Sequence, residues 1–223
     1  SDSIALVAIY EATGGKEWNY NTNWLNVPVH SWEGIRVKGG RVTRLYLQGN
    51  NLTGTLPSEL SDLTGLIRLY INGNPGLNGE LPSGISSLQK LKRIRMHGNG
   101  FTGEIPSEIS EISGLRQLLL SNNQFTGTIS PEFSKLKYLS ELDFSGNKLT
   151  GNIPSEFGKM DYRLQWLDLS DNKLTGSIPV QLGKLRFLKK LDLSDNNLEG
   201  EIPSTLENLK YLNHLDLPGN NFN

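Results

Sequence analysis

Cysteine is absent from this chain. With no thiol there is no disulfide framework, no thiolate nucleophile and no cysteine-based zinc site, so packing and hydrogen bonding alone must hold the fold. Histidine is almost as scarce: His30, His97 and His214 are all there are, and they stand far apart. Neither sign of charge is in excess, because 22 Lys+Arg meet 23 Asp+Glu and leave a formal net charge of −1. That balance supplies no field to draw in nucleic acid or an anionic membrane. Long apolar runs are missing too, which argues against direct membrane insertion of this segment. Gly14-Gly15-Lys16 lacks the spacing of a phosphate-binding loop. Nothing else in the sequence calls for a cofactor or a resident metal.

What the chain does have is repetition. From Val42 to the last residue a 24-residue pattern recurs with two single-residue slips, its copies starting at Val42, Leu66, Leu91, Leu115, Leu139, Leu164, Leu188 and Leu212. Each copy reads close to LxxLxLxxNxLTGxIPxxLxxLxx. A turn this short cannot bury its own apolar face, so the copies must stack into a solenoid. In the copy that begins at Leu164, Leu167 and Leu169 alternate with polar Asp168 and Ser170, the period-two pattern of a strand with one face buried. Leu174, Ile178, Leu182 and Leu185 supply the other inward residues. Asn172 recurs as Asn50, Asn74, Asn99, Asn123, Asn147, Asn196 and Asn220, where the chain turns out of the strand. An amide at that corner can both donate to and accept from the backbone of adjacent turns, so we read this ladder as structural.

The segment after each asparagine narrows the pattern. Leu52-Thr53-Gly54-Thr55-Leu56-Pro57, Phe101-Thr102-Gly103-Glu104-Ile105-Pro106, Leu149-Thr150-Gly151-Asn152-Ile153-Pro154 and Leu174-Thr175-Gly176-Ser177-Ile178-Pro179 all follow LTGxIP. On these residues the chain resembles the plant-type leucine-rich repeat family, which includes receptor-kinase ectodomains, receptor-like proteins and polygalacturonase inhibitors. The resemblance implies an α/β solenoid: a right-handed superhelix with a concave parallel sheet, a short second strand near TGxI, and a 3₁₀ or irregular convex side after the proline. Ser130-Pro131 shifts the proline by one, and the two slips fall at Pro75-Gly76 and between Lys159 and Arg163. The expected organisation is a cap over residues 1–41 followed by repeats over 42–223, seven full copies and a truncated eighth, as one domain.

In the first segment Ile4, Leu6, Val7, Ile9 and Tyr10 suggest an amphipathic helix started by Asp2 or Ser3 and ended by Gly14-Gly15. Trp18, Trp24 and Trp32 follow, and can cover the open end of an apolar stack. The family's cap normally carries a disulfide in a Cys-x-Trp-x-Gly-Val-x-Cys segment. Here the match is His30-Ser31-Trp32-Glu33-Gly34-Ile35-Arg36-Val37, so His30 and Val37 stand at the cysteine positions. The last copy stops midway through its turn, leaving Leu212, Leu215, Leu217 and Phe222 at an open end that a further segment or a partner would cover.

Function must lie in residues the fold does not dictate, which are the outward positions of the concave strands. The middle position runs Tyr46, Tyr70, Arg95, Leu119, Asp143, Asp168, Asp192, Asp216; two before it run Arg44, Arg68, Arg93, Gln117, Glu141, Trp166, Lys190, His214; two after it run Gln48, Asn72, His97, Ser121, Ser145, Ser170, Ser194, Pro218. Stacked strands make each series a ladder, basic and tyrosine-bearing at one end and acidic at the other. The aspartates belong to the common LDLS strand and read as solvated family-typical residues. Arg44, Tyr46, Arg68, Tyr70, Arg93, Arg95 and His97 depart from that habit and are the candidate ligand contacts, with Trp166 as a second anchor unless it lies on the alkyl part of Lys190. Tyr138, Phe187 and Tyr211 read as a structural aromatic stack. His97, Ser121 and Asp143 mimic a triad on paper, but nothing supplies an oxyanion hole, so no catalytic residue is assigned.

The leading expectation is therefore a non-enzymatic recognition module, a receptor-like ectodomain or secreted binding protein that takes a peptide, protein or glycan on its concave face. An inhibitor of a secreted hydrolase is the alternative that the resemblance allows. A structural or ice-associating role would use the hydroxyls of Thr53, Thr102, Thr126, Thr150 and Thr175. The resemblance implies an extracellular or cell-surface setting, whereas the lack of cysteine favours an intracellular one. No secretory leader is recognisable, Ser1-Asp2-Ser3 reads as a processed start, and the sequon Asn51-Leu52-Thr53 arises from the repeat itself.

Overall fold

A computed structural model describes residues 1–223. The repeats wind into a solenoid whose concave side is one nine-stranded sheet, in the order Ile35–Lys38, Arg41–Tyr46, Arg68–Tyr70, Arg93–Arg95, Gln117–Leu119, Glu141–Asp143, Trp166–Asp168, Lys190–Asp192 and His214–Asp216. All neighbours pair in parallel except the first two, which form an antiparallel hairpin through Gly39 and Gly40. Those two glycines have φ of 58° and 71°, the left-handed pair that a tight hairpin turn of the right twist requires.

Each strand is only three residues long after the first turn, because the next leucine faces inward and the asparagine then bends the chain away. Asn147 shows the device. Its Nδ2 donates to Leu120 O at 3.1 Å and Phe144 O at 3.0 Å, while its Oδ1 accepts from Phe125 N at 3.1 Å. The same pattern recurs at Asn74, Asn123, Asn172, Asn196 and Asn220. No buried side-chain nitrogen or oxygen lacks a partner, so the corners cost little despite their burial. Beyond them a second line of short strands runs along the flank, and on the convex side a five-residue 3₁₀ helix such as Ser155–Lys159 follows the proline of each turn, or begins on it at Pro131. Pro154 at φ −62° sets that entry.

Between the sheet and the 3₁₀ layer lies one continuous apolar cluster of 55 buried residues. It runs without a break from the cap through the repeats, because every turn contributes the same inward leucines and each is covered by its neighbours.

The cap helix spans Asp2–Ala12 and buries Ala5, Leu6 and Ile9. Ile4, expected on the apolar face, is 64% exposed; burying Ala5 instead rotates the packed face by one residue. Asp2 does not cap the helix as expected. It is the first helical residue, and its carboxylate accepts from Val42 N at 2.6 Å and bonds Arg41 Nε at 3.0 Å, which fastens the cap to the first strand. Behind the helix the three tryptophans are buried and interlocked with Tyr10, Trp24 lying 4.9 Å from Trp18 and 4.7 Å from Trp32 between ring centres. Each indole N–H finds a carbonyl: Thr13, Glu33 and Val27 accept from Trp18, Trp24 and Trp32. Packing of this kind closes the segment in a chain that has no cysteine.

Candidate functional site

Outward residues on adjacent concave strands stand directly opposite one another. Arg44, Arg68, Arg93, Gln117, Glu141, Trp166, Lys190 and His214 pair in series, as do Tyr46, Tyr70, Arg95, Leu119, Asp143, Asp168, Asp192 and Asp216. The structure thus places seven of the eight sequence candidates on adjoining turns at the N-terminal end, and Trp166 three strands beyond Arg93.

The tyrosine–arginine end is internally organised. Tyr46 and Tyr70 rings lie 5.0 Å apart, the Arg95 guanidinium sits 4.7 Å over the Tyr70 ring, and Arg95 Nε donates to Gln117 Oε1 at 2.7 Å. Gln117 in turn donates to Glu141. Arg68 donates to the Tyr46 hydroxyl at 3.3 Å, which with the field of Tyr46 holds its pKa above the ordinary value. Half-buried His97 is held below the usual histidine pKa by burial; Asp143 opposes that shift and Arg95 reinforces it. His97 makes no hydrogen bond to Ser121, and Asp143 Oδ1 is taken by Ser145 at 2.7 Å, so the paper triad does not assemble.

The side chains of Arg44 and Arg93 form no hydrogen bond or ion pair, and Arg68 meets no carboxylate. A residue that the repeat alignment missed extends this row. The cap hairpin puts Arg36 opposite Arg44, so four arginines cross four consecutive strands, with Lys38 exposed on the same short strand. At the strand separation of about 4.8 Å, two unit charges repel by about 1 kcal/mol in water. Gly39-Gly40 between two alternating runs is the sequence cue to that hairpin, but Arg36 lies in the non-repeating segment, outside the ladder of equivalent positions.

The other half is acidic and partly neutralised. Asp143, Asp168 and Asp192 each accept from the serine two residues on. Burial disfavours the Lys190 charge, yet Asp168 at 2.9 Å and Asp192 at 3.5 Å hold its pKa above the ordinary value. Trp166 contacts Lys190 as expected, but through the ammonium, which lies 4.8 Å over the indole centre. The ring remains 41% exposed. Asp192, His214 and Asp216 bring three potential metal-ligand atoms within 4.8 Å, with His214 Nε2 already 2.6 Å from Asp216.

Two flank readings need correction. Phe187 and Tyr211 stack at 6.3 Å, but Tyr138 is not part of that row, because Arg163 occupies the intervening turn and lies over the Tyr138 ring. Nor do the threonines form a straight ladder. Flank strands pair two residues out of step with the repeat, so Thr126 meets Glu104, Thr150 meets Thr128 and Lys173, and Thr175 meets Asn152 and Asn197.

The chain is similar to known proteins along its whole length. Models described as leucine-rich repeats match residues 41–63, 90–112, 113–174 and 162–222. A plant ice-binding protein of known structure superimposes with a TM-score of 0.90 at 32% identity, over 99% of this chain and 71% of that one. The ectodomain of the Arabidopsis thaliana receptor kinase GASSHO1/SCHENGEN3, solved with CASPARIAN STRIP INTEGRITY FACTOR 2, gives 0.84 at 29% identity over 100% of this chain and 30% of that one. Polygalacturonase inhibitor 1 of Oryza sativa subsp. japonica is 31% identical over 94 residues, 41% of this chain and 28% of the inhibitor. The chain covers between 8% and 28% of the length of five curated relatives that it matches.

Proposed function

The chain belongs to the leucine-rich repeat family in its plant-type form, and from that premise we propose that it is a non-enzymatic recognition module of the cell exterior, holding a peptide or protein segment along its concave face. One observation carries this reading: the concave N-terminal end gathers Tyr46, Tyr70, Arg95 and the unpaired Arg44 and Arg93 on neighbouring strands. Stability does not ask for such residues there, whereas aromatic and arginine side chains on a rigid scaffold are what anchor a partner. Peptide complexes of similar ectodomains support the class of ligand. The test is binding by calorimetry, first with peptides recovered from a displayed library. Tyr70→Ala or Arg95→Ala is expected to cost about 1–3 kcal/mol of affinity with unfolding unchanged, and Thr126→Ala almost nothing. A flank variant that weakens binding while the concave variants do not would move the site elsewhere.

Ice association is a second reading, favoured by the likeness to a plant ice-binding protein. Against it stands the flank register. An ice face needs a regular, uncharged lattice, but Thr126 and Thr175 stand opposite Glu104 and Asn152, and the Thr126 and Thr150 hydroxyls donate to carbonyls of the preceding turn at 3.3 and 3.2 Å. Ice recrystallisation assays decide it: inhibition abolished by Thr150→Lys would replace the first reading.

A further inference from the structure

Four arginines on four adjacent strands, with no carboxylate bonded to any of them, form a surface whose charge the protein leaves unbalanced. Arg36, Arg44, Arg68 and Arg93 are in strand register, and the only ion pair any arginine makes is Arg41 with Asp2. Their side-chain hydrogen bonds are limited to Arg36 with its neighbour's carbonyl and Arg68 with Tyr46. Further along the same face the sign reverses through Glu141, Asp143, Asp168, Asp192 and Asp216, of which Asp168 and Asp192 alone share a lysine. Within one chain of net charge −1 the concave face is thus a dipole along the solenoid axis.

We propose that this surface selects a charge-polarised peptide, with an acidic segment lying across the row Arg36–Arg44–Arg68–Arg93 and a basic segment toward Asp168–Asp216. This rests on the concave-face reading above and specifies its ligand. The dimensions fit. Four strands span about 14 Å, and about four residues of extended chain cover the same distance at 3.3–3.6 Å each. Tyr46 and Tyr70 stand beside the row in the next position, so the bound backbone meets aromatic rings on one side and guanidiniums on the other. Arginine forks take carboxylates in a bidentate manner, and complementary potentials fix the register and suppress the reversed orientation.

Fluorescence anisotropy at low salt with labelled dodecapeptides tests it. One probe carries a glutamate block at one end and a lysine block at the other, made in both chain polarities; a control alternates glutamate and lysine in the same composition. One dipolar polarity should bind at least about tenfold tighter than the control and lose most of that margin near physiological salt. Arg44→Glu with Arg93→Glu should erase the preference, and the milder Arg44→Gln with Arg93→Gln should weaken it; neither arginine has a partner in the fold, and circular dichroism confirms that the variants stay folded. If Tyr70→Ala weakens every peptide but the arginine variants leave the ranking unchanged, the charge inference fails and the concave site stands. If neither set matters, both fail. Binding of a sulfated or uronic oligosaccharide to the arginine row, with no peptide bound, would overturn the peptide class.

Discussion

Replacing Asn172 by leucine isolates what the corner amides contribute. The side chains are close in volume, so packing changes little and polar satisfaction changes most. Asn172 Oδ1 is the acceptor for Leu149 N at 3.0 Å, and that buried N–H has no other partner. Its Nδ2 serves Phe144 O and Leu169 O, but these carbonyls also accept from Asn147 and Asn196. One donor is therefore orphaned outright, at about 1–3 kcal/mol, and two carbonyls lose one of two bonds, at about 0.5–1.5 kcal/mol each. With some return from the added apolar surface, the expected loss is about 3 kcal/mol, or a fall in Tm of about 6–12 °C for a chain of this size. Asn220→Leu is the internal control. It removes the same pattern from a half-buried position at the last turn, where Leu198 N stays buried but water can reach the amide's own side of the corner, so its cost should be smaller, about 1–2 kcal/mol. Urea unfolding followed by circular dichroism measures both. Equal losses at the two sites would show that burial of the amide ladder is not what stabilises the corners.

Three further outcomes follow from the cap and the charged face. Gly15→Ala should destabilise the cap by more than 1 kcal/mol, because a Cβ there would meet the Tyr10 ring at 2.2 Å; an unchanged melting curve would contradict that packing. Asp2 is disfavoured as an anion by burial, but Arg41 and Val42 N–H overcome this and hold its pKa below the ordinary value. The latch therefore stabilises the fold above the ordinary carboxylate pKa near 3.9 and is lost as pH falls below it, and Asp2→Asn should flatten that acid limb of a Tm–pH profile. Deleting residues 1–40 bares the strand beginning at Arg41 and the end of the apolar cluster, so aggregation or loss of cooperative unfolding is expected, and a soluble, equally stable truncation would refute a capping role.

Most of the scaffold was legible because repetition averages out local ambiguity: seven leucines and one isoleucine, Ile94, at one position fix a strand register that a single Leu167 does not. The concave rows followed directly, since their neighbours are equivalent residues of successive copies. Where neighbours are not equivalent, the repeat misleads. The flank strands are displaced by two residues, which no alignment of copies reveals, and so Thr175 faces Asn152 instead of Thr150. Arg163 was hidden by the extra residue of its turn, and this separated Tyr138 from Phe187. Ile4 and Asp2 lie outside the repeat, where a helix of low periodicity leaves its buried face undetermined until the first strand is placed.

The parity of the strand divides labour in this molecule. Leu45, Leu69, Ile94, Leu118, Leu142, Leu167 and Leu191 point inward and are fully buried, while the residues on either side of each point into the concave space. A change at an inward position leaves a cavity felt by two neighbouring turns, whereas Arg44 or Arg93 touches nothing whose loss would unfold the chain. The outer rows can therefore vary in sequence without cost to the core. Such independence is what allows one repeat to carry tyrosines and arginines at one end of the face and aspartates at the other, so the polarity of that face is not a demand of folding.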